Sequence, residues 1–208
     1  MSDEPDRLRR VVRDFLQSPN SSNNAGERAM VAAVCAALDG CVPSAPAAVP
    51  RALPAAALLA PALARTQLPE LLPVRDAIAA AAHLFTWRQN PNYSAANMGA
   101  AFMAGYGYVE FAGPKEALFH APEIRVGLLL LGPRLHYPAH AHPAEEIYHP
   151  LTEGGLWRRG QENWRTVPAG RAIHHPSMVV HETKAAESTL LALYCWRGNT
   201  VTEAQLTT

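Results

Sequence analysis

The chain has 208 residues and a mass of 22.5 kDa, the size of one domain or of one domain with a helical extension, and long enough to bury a core without disulfides. Lys+Arg and Asp+Glu both total 18 and the pI is near 7.1, so no field attracts nucleic acid or an anionic membrane surface. Three cysteines, Cys35, Cys41 and Cys195, are an odd number without CxxC spacing, which excludes a disulfide framework and a thiolate zinc site and fits a reducing cytoplasm.

The start, MSDEPDRLRR, is acidic then basic with no apolar run behind it, so no signal peptide is expected. Leu8, Val11, Val12, Phe15 and Leu16 recur at helical spacing and predict a helix over 5–17, with Asp3 near the N-cap, Pro5 in the first turn and Ser18-Pro19 as the stop. A second helix over 25–39 buries Met30, Val31, Val34, Cys35 and Leu38 and closes at Gly40. Residues 41–73 are rich in Ala and Pro and hold only short helical turns. Their longest apolar stretch, 52–64, is broken by Pro54 and Pro61 and flanked by Arg51 and Arg65, so it does not span a membrane. A third helix is predicted over 74–87, ended by Gln89-Asn90-Pro91-Asn92. The connector 93–103 reads as support for the barrel or as a lid over its mouth.

After Gly105 the period becomes strand-like: GYGYVEF, then EIRVGLLLL, then brief runs parted by Gly, Pro and Asn as far as Trp196. This predicts a mainly β fold, a sandwich or small barrel over 101–208 with a helical region over 1–100 packed on it, and no βαβ alternation for a nucleotide.

The nine histidines are uneven: only His83 lies in the helical half, and eight fall between His120 and His181. In the run from Tyr137 to Tyr148, His140, His142, Glu146 and Tyr148 share parity, which on one extended strand would put two imidazoles, a carboxylate and a phenol on one face. Nitrogen and oxygen donors in that number suit a divalent metal with open positions. A further ligand is expected from the second patterned stretch, which contains His174, His175 and His181.

His140-x-His142-x3-Glu146 resembles the first metal motif of cupins, and Gly170-x5-Pro176-x-Met178-x2-His181 resembles the second, which selects His181. Met178 stands where that motif usually has glycine and Ala185 where it usually has asparagine; Gly132 and Gly154 are displaced from their usual spacing in the first motif. The phrases LLLLGPRLHYPAHAHPAEEIYHPL, HHPSMVVHET and LALYCWRG, with GYGYVEFAGP upstream, look like the cupin-type dimethylsulfoniopropionate (DMSP) lyases and their relatives over about 105–198. The resemblance implies a cupin (double-stranded β-helix) barrel and one divalent transition metal ion, Zn, Fe, Mn, Co or Ni, held by His142, Glu146 and His181 with Tyr148 next to or on it. His140 is implied as a further ligand or a hydrogen-bond partner, and Tyr137 and Trp196 as pocket residues.

The implied reaction is β-elimination of DMSP to dimethyl sulfide and acrylate, with the metal holding the carboxylate and Tyr148 as base. A phenol ionises near pH 10, so it needs a nearby cation to serve. Tyr137, Tyr194 and Trp196 are the rings available to a sulfonium, which has no N–H and is attracted to aromatic faces.

Against these stand plainer readings. Tyr148 can be a core tyrosine, and Tyr194 and Trp196 simple packing. His120, His136 and His149 read as surface or loop residues, and Glu145 as solvated. His174 and His175 must point to opposite faces. Two other functions fit the same residues: a metal-dependent cupin dioxygenase, and a cupin that acts on another β-substituted carboxylate or only binds it. The resemblance also allows a homodimer.

Overall fold

The computed structural model describes residues 3–19, 21–45 and 51–207. Helix α1, Glu4–Leu16, follows Asp3 and has Pro5 in its first turn. It buries Leu8, Val12, Phe15 and Leu16, the stripe its spacing predicts. Helix α2, Ala25–Gly40, is capped by Asn24, whose side chain accepts the Glu27 backbone N–H at 3.0 Å, and Glu27 reaches back to the Asn23 N–H. Strand β1, Val42–Pro43, follows, where only short helical turns are expected; residues 46–50 of that stretch lie outside the described residues.

Helices α3, Leu59–Ala64, and α4, Leu72–Ala81, each follow a short 3-10 turn opened by a proline, Pro54 and Pro69, as a residue lacking N–H and fixed in φ dictates. The third predicted helix therefore begins before Val74 and ends well short of Trp87. After a 3-10 turn at Ala82–Leu84 the chain is extended, so that Arg88 can bridge Tyr108 and Phe85 and Trp87 can enter the core. Helices α5, Ala95–Met98, and α6, Ala100–Gly105, fill the connector.

The remaining strands are β2 (Tyr106–Gly113), β3 (Phe119–His120), β4 (Ile124–Leu131), β5 (His136–Ala141), β6 (Glu145–Pro150), β7 (Gly155–Arg159), β8 (Arg165–Thr166), β9 (Ile173–His175), β10 (His181–Ala185), β11 (Leu190–Arg197) and β12 (Gln205–Leu206). They form a seven-stranded sheet, β1-β3-β2-β4-β11-β6-β9, facing a five-stranded one, β12-β5-β10-β7-β8. The chain passes repeatedly between the two sheets, which is the double-stranded β-helix of a cupin barrel.

The larger sheet is covered on both faces, and that explains its composition. Val109, Phe111, Leu128, Leu130, Leu193 and Cys195 pack under the helices in one core with Leu8, Val34 and Ile78. Tyr106, Tyr108, Leu129, Tyr148, Tyr194 and Trp196 point the other way, into the barrel. With no face left for water, every residue of β2 and β4 is buried, and the strands read as continuous apolar runs instead of alternating ones.

One buried polar contact ties the helical half to the barrel. His149 on β6 is fully buried, meets the edge of Phe15 at 5.3 Å and pairs through Nε2 with the Ser21 carbonyl at 2.7 Å. This corrects its reading as a surface or loop residue. Burial pushes its pKa down to about 4, so it is neutral in the fold and takes up a proton on unfolding. A histidine with a lowered folded-state pKa contributes stability that is present above the ordinary value near 6.5 and is lost as pH falls toward 4. Melting curves between pH 7 and 4.5 should show wild type losing on the order of 2 kcal/mol through this group. His149→Asn should be less stable at pH 7 but flatter across that interval.

Candidate metal centre and active site

The pattern His140 to Tyr148 does not lie on one strand face. The chain leaves the five-stranded sheet after Ala141, turns through Pro143, and enters the seven-stranded sheet at Glu145. The turn aims both segments into the barrel: His140 pairs in register with His181 of β10 on one wall, while Glu146 and Tyr148 lie opposite Trp196 and Tyr194 of β11 on the other. His142 sits at the crossing. The like parity is real, but its effect arises from two facing sheets.

His142, Glu146 and His181 are all buried, and one ligand atom from each lies within 4.8 Å of the others. Each imidazole is fixed from behind. Nδ1 of His142 faces the Ala144 carbonyl at 3.0 Å and Nδ1 of His181 the Val179 carbonyl at 3.0 Å, so these nitrogens carry the proton and donate it. Both Nε2 atoms then point at Glu146, each 3.2 Å from its Oε2. Two imidazole nitrogens and a carboxylate oxygen this close together, sealed from water, call for a cation among them. The donor set, two imidazoles and one carboxylate with oriented outer hydrogen bonds, fits a divalent transition metal.

Glu146 is the focus of the site. Burial opposes its charge, but His142, His175 and His181 together hold its carboxyl well below the usual range. Its second oxygen, Oε1, accepts the Trp196 indole N–H at 2.6 Å, and the Trp196 ring stacks on His142 at 4.0 Å. Trp196, expected as a pocket ring, lines the cavity and also orients two members of the cluster.

His140 lies beside the cluster, with its ring 4.1 Å from that of His181 and 6.3 Å from that of His142. Nδ1 donates to the Pro138 carbonyl at 2.7 Å, and burial, with His181 and His142 nearby, keeps the ring neutral. Tyr137 stacks on His140 at 4.0 Å, and its hydroxyl is hydrogen-bonded to that of Tyr93 at 3.1 Å. Tyr93 belongs to the connector 93–103, which with Phe102 and Tyr106 closes an aromatic wall over Tyr137. Tyr148 is buried beside Glu146; burial first, and the carboxylate second, push its phenol well above the ordinary value. Tyr194 donates to Glu110 Oε1 at 3.4 Å.

The structure separates the adjacent histidines as expected. His174 turns outward to Glu145 at 2.9 Å, and Glu145 also pairs with Arg197, so Glu145 is engaged and not merely solvated. His175 turns inward: it stacks on His181 at 4.0 Å with its Nδ1 3.4 Å from Glu146 Oε2, a role the sequence reading did not assign. His136 is half-exposed and pairs with Glu182 at 2.8 Å; His120 is exposed. Cys35 and Cys195 are buried and Cys41 partly so. Met178 adopts φ 61° where the motif has glycine, and its N–H donates to the His142 carbonyl at 2.9 Å, so the turn survives the substitution at a backbone cost.

A cavity opens beside the cluster, with an empty volume of about 370 Å³ that includes its open mouth. Tyr108, Arg125, Tyr137, Glu146, Tyr148, Tyr194, Trp196 and Glu203 are among the residues that line it. Every residue proposed for substrate contact thus borders a single space.

The family profile of the DMSP lyases matches residues 26–192. The chain belongs to the DMSP lyase family. It is 34% identical over 138 residues to the DMSP lyase DddQ of Ruegeria pomeroyi, covering 64% of this chain, and the match spans 65% of that relative's length. The crystal structure of DddQ from Ruegeria pomeroyi DSS-3 superposes with a TM-score of 0.75 at 26% identity, over 97% of this chain and 96% of that one. A chain from the crystal structures of the DMSP lyases RdDddP and RnDddQII matches in fold, with a TM-score of 0.75 at 24% identity over 99% and 98%. No helix among the described residues is long and apolar enough to cross a membrane.

The converging donors carry two expected outcomes. Zn(II), Mn(II) or Fe(II) added to metal-stripped protein should raise its melting temperature, and Glu146→Ala should abolish the rise. Trp196→Phe keeps the stacking surface but removes the N–H on Glu146, and metal titration should show affinity lower by about 10-fold to 100-fold, the range found for outer-shell partners.

Proposed function

We propose that this member of the DMSP lyase family is itself a carbon–sulfur lyase that cleaves DMSP by β-elimination, with one divalent transition metal ion held by His142, Glu146 and His181. The observation that carries the proposal is the convergence of three buried metal-donor side chains beside a ring-lined cavity containing Tyr148. Family membership supports the substrate. Zn, Fe, Mn, Co and Ni all suit the donor set. The helical region over 1–100 is assigned a supporting role, and the chemistry falls within 101–208.

When bound, the metal supplies a Lewis acid for the substrate carboxylate and the positive charge that favours the phenolate of Tyr148. Tyr148, buried beside Glu146 in the cavity wall, is the group assigned to take the proton from the carbon beside the carboxylate. The C–H electron pair becomes the new double bond, and the C–S pair leaves with dimethyl sulfide. The zwitterion thereby yields dimethyl sulfide, acrylate and one proton, and atoms and charge balance. His140 is neutral and its Nε2 can accept, so it is assigned to carry that proton away from Tyr148 or to complete the ligand set. Tyr137, fixed by His140 and Tyr93, and Tyr194 hold the substrate and keep water out.

Headspace gas chromatography of metal-replete protein mixed with DMSP tests this reading. Wild type should release dimethyl sulfide. Tyr148→Phe should keep its metal while turnover falls by at least 100-fold, the usual scale for a general base. His181→Ala should lose most of the metal and His174→Ala should retain it. Full turnover in Tyr148→Phe would remove Tyr148 as the base, and silence of metal-loaded wild type would remove DMSP as the substrate.

A further inference from the structure

We propose that Glu203, carried across the cavity by residues 199–207, is the specificity residue that receives the cationic end of an onium carboxylate. This deepens the reading of the cavity as a DMSP site and rests on it.

Residues 199–207 form a strap anchored along its length. Thr200 Oγ1 donates to the Pro122 carbonyl at 2.6 Å. The side-chain amides of Asn90 and Asn92 both donate to the Ala204 carbonyl, at 2.8 and 3.1 Å. Gln205–Leu206 then pairs with Ala141 and His140 of β5, and the Thr207 N–H donates to the Ala139 carbonyl at 2.9 Å. The strap thus joins the strand that carries His140 to the loop that leads into Tyr93. Between these anchors Glu203 and Ala204 form part of the cavity wall.

Glu203 is the last member of a chain of alternating charge. Arg88 pairs with Glu110 at 2.5 Å, Glu110 with Arg125 at 3.5 Å, and Arg125 with Glu203 through two parallel bonds of 2.9 and 3.1 Å. Glu110 and Arg125 are almost wholly enclosed and Arg88 keeps 14% of its side-chain surface open, whereas the Glu203 side chain keeps 23%. Its charge reaches Tyr93, Tyr106 and Tyr108, where, after burial in each case, it further opposes ionisation. Arg125 fixes the carboxylate in a bidentate fork and so delivers a preoriented negative pole to the cavity.

Two of the cavity's rings already face an internal cation. The Arg125 guanidinium already lies 5.0 Å over Trp196, and Arg88 lies 5.2 Å over Tyr108. A ring polarised toward an internal cation has less attraction left for a second one. A sulfonium or quaternary ammonium accepts and donates no hydrogen bond, so a fixed countercharge adds what the Tyr137 and Tyr194 rings alone do not supply. Glu203 supplies that countercharge from the stretch of wall it shares with Arg125 and Ala204, and the carboxylate end is placed at the His142–Glu146–His181 cluster.

Binding of two uncleaved probes of the same shape tests the assignment: 3-(trimethylammonio)propanoate, and 4,4-dimethylpentanoate, in which carbon replaces the charged nitrogen. Calorimetry on the metal-loaded full chain should show wild type preferring the cationic probe by at least tenfold. Glu203→Gln should weaken the cationic probe about tenfold and leave the neutral one unchanged, and Glu203→Asp should keep part of the preference. Equal weakening of both probes would make Glu203 a strap anchor only and overturn the proposal, as would an unchanged preference in Glu203→Gln or no preference in wild type. The readout needs no turnover: wild type that prefers the cationic probe but releases no dimethyl sulfide from DMSP would reject the proposed reaction and leave this assignment standing.

Discussion

A carboxylate sealed inside an apolar barrel is the constraint around which the site is arranged. Glu146 has no exposure to solvent, and an isolated buried carboxylate would be strongly disfavoured. It stays ionised because His142, His175, His181 and Trp196 surround it, each drawn from a different segment. Those contacts require β6 to lie between β9 and β11 and the β5–β6 turn to swing from one sheet to the other. Satisfying one charge therefore fixes the relative placement of the two walls.

The second requirement is that the larger sheet be dry on both sides. Helices α1, α2 and α3 bury the outward row of β2, β4 and β11, and α4 packs behind them on α1. His149 is the polar exception, accommodated because its ring pairs with a carbonyl of the α1–α2 connection. The helical half and the barrel consequently share one apolar core.

Much of this was legible in the residue pattern. The stripes of α1 and α2, the change to strands after Gly105, and the histidines and glutamate of the two motifs all follow from periodicity, spacing and resemblance. What escaped reading has physical causes. Helix α4 stops early because Phe85 and Trp87 gain more from extended packing in the core than from another helical turn. His175 and His174 are adjacent and chemically identical, so only the pairing of β9 with β6 decides which faces Glu146. Local spacing also carries no sign of the Arg88–Glu110–Arg125–Glu203 chain, whose members are brought together from four distant segments. One signal was available: a charged residue inside each of the apolar runs YGYVEF and EIRVGLLLL needs a partner of opposite sign.

Trp196 touches both ends of the cavity. Its N–H holds Glu146, its ring rests on His142, and the guanidinium that grips Glu203 lies over the same ring. A rigid indole between the acidic-end and cationic-end anchors makes their separation a fixed dimension of the protein. With Glu203 assigned to the cationic end and the metal cluster to the carboxylate, the cavity would act as a gauge of chain length, favouring molecules whose two charged groups are spaced to match and disfavouring homologues shorter or longer by a methylene.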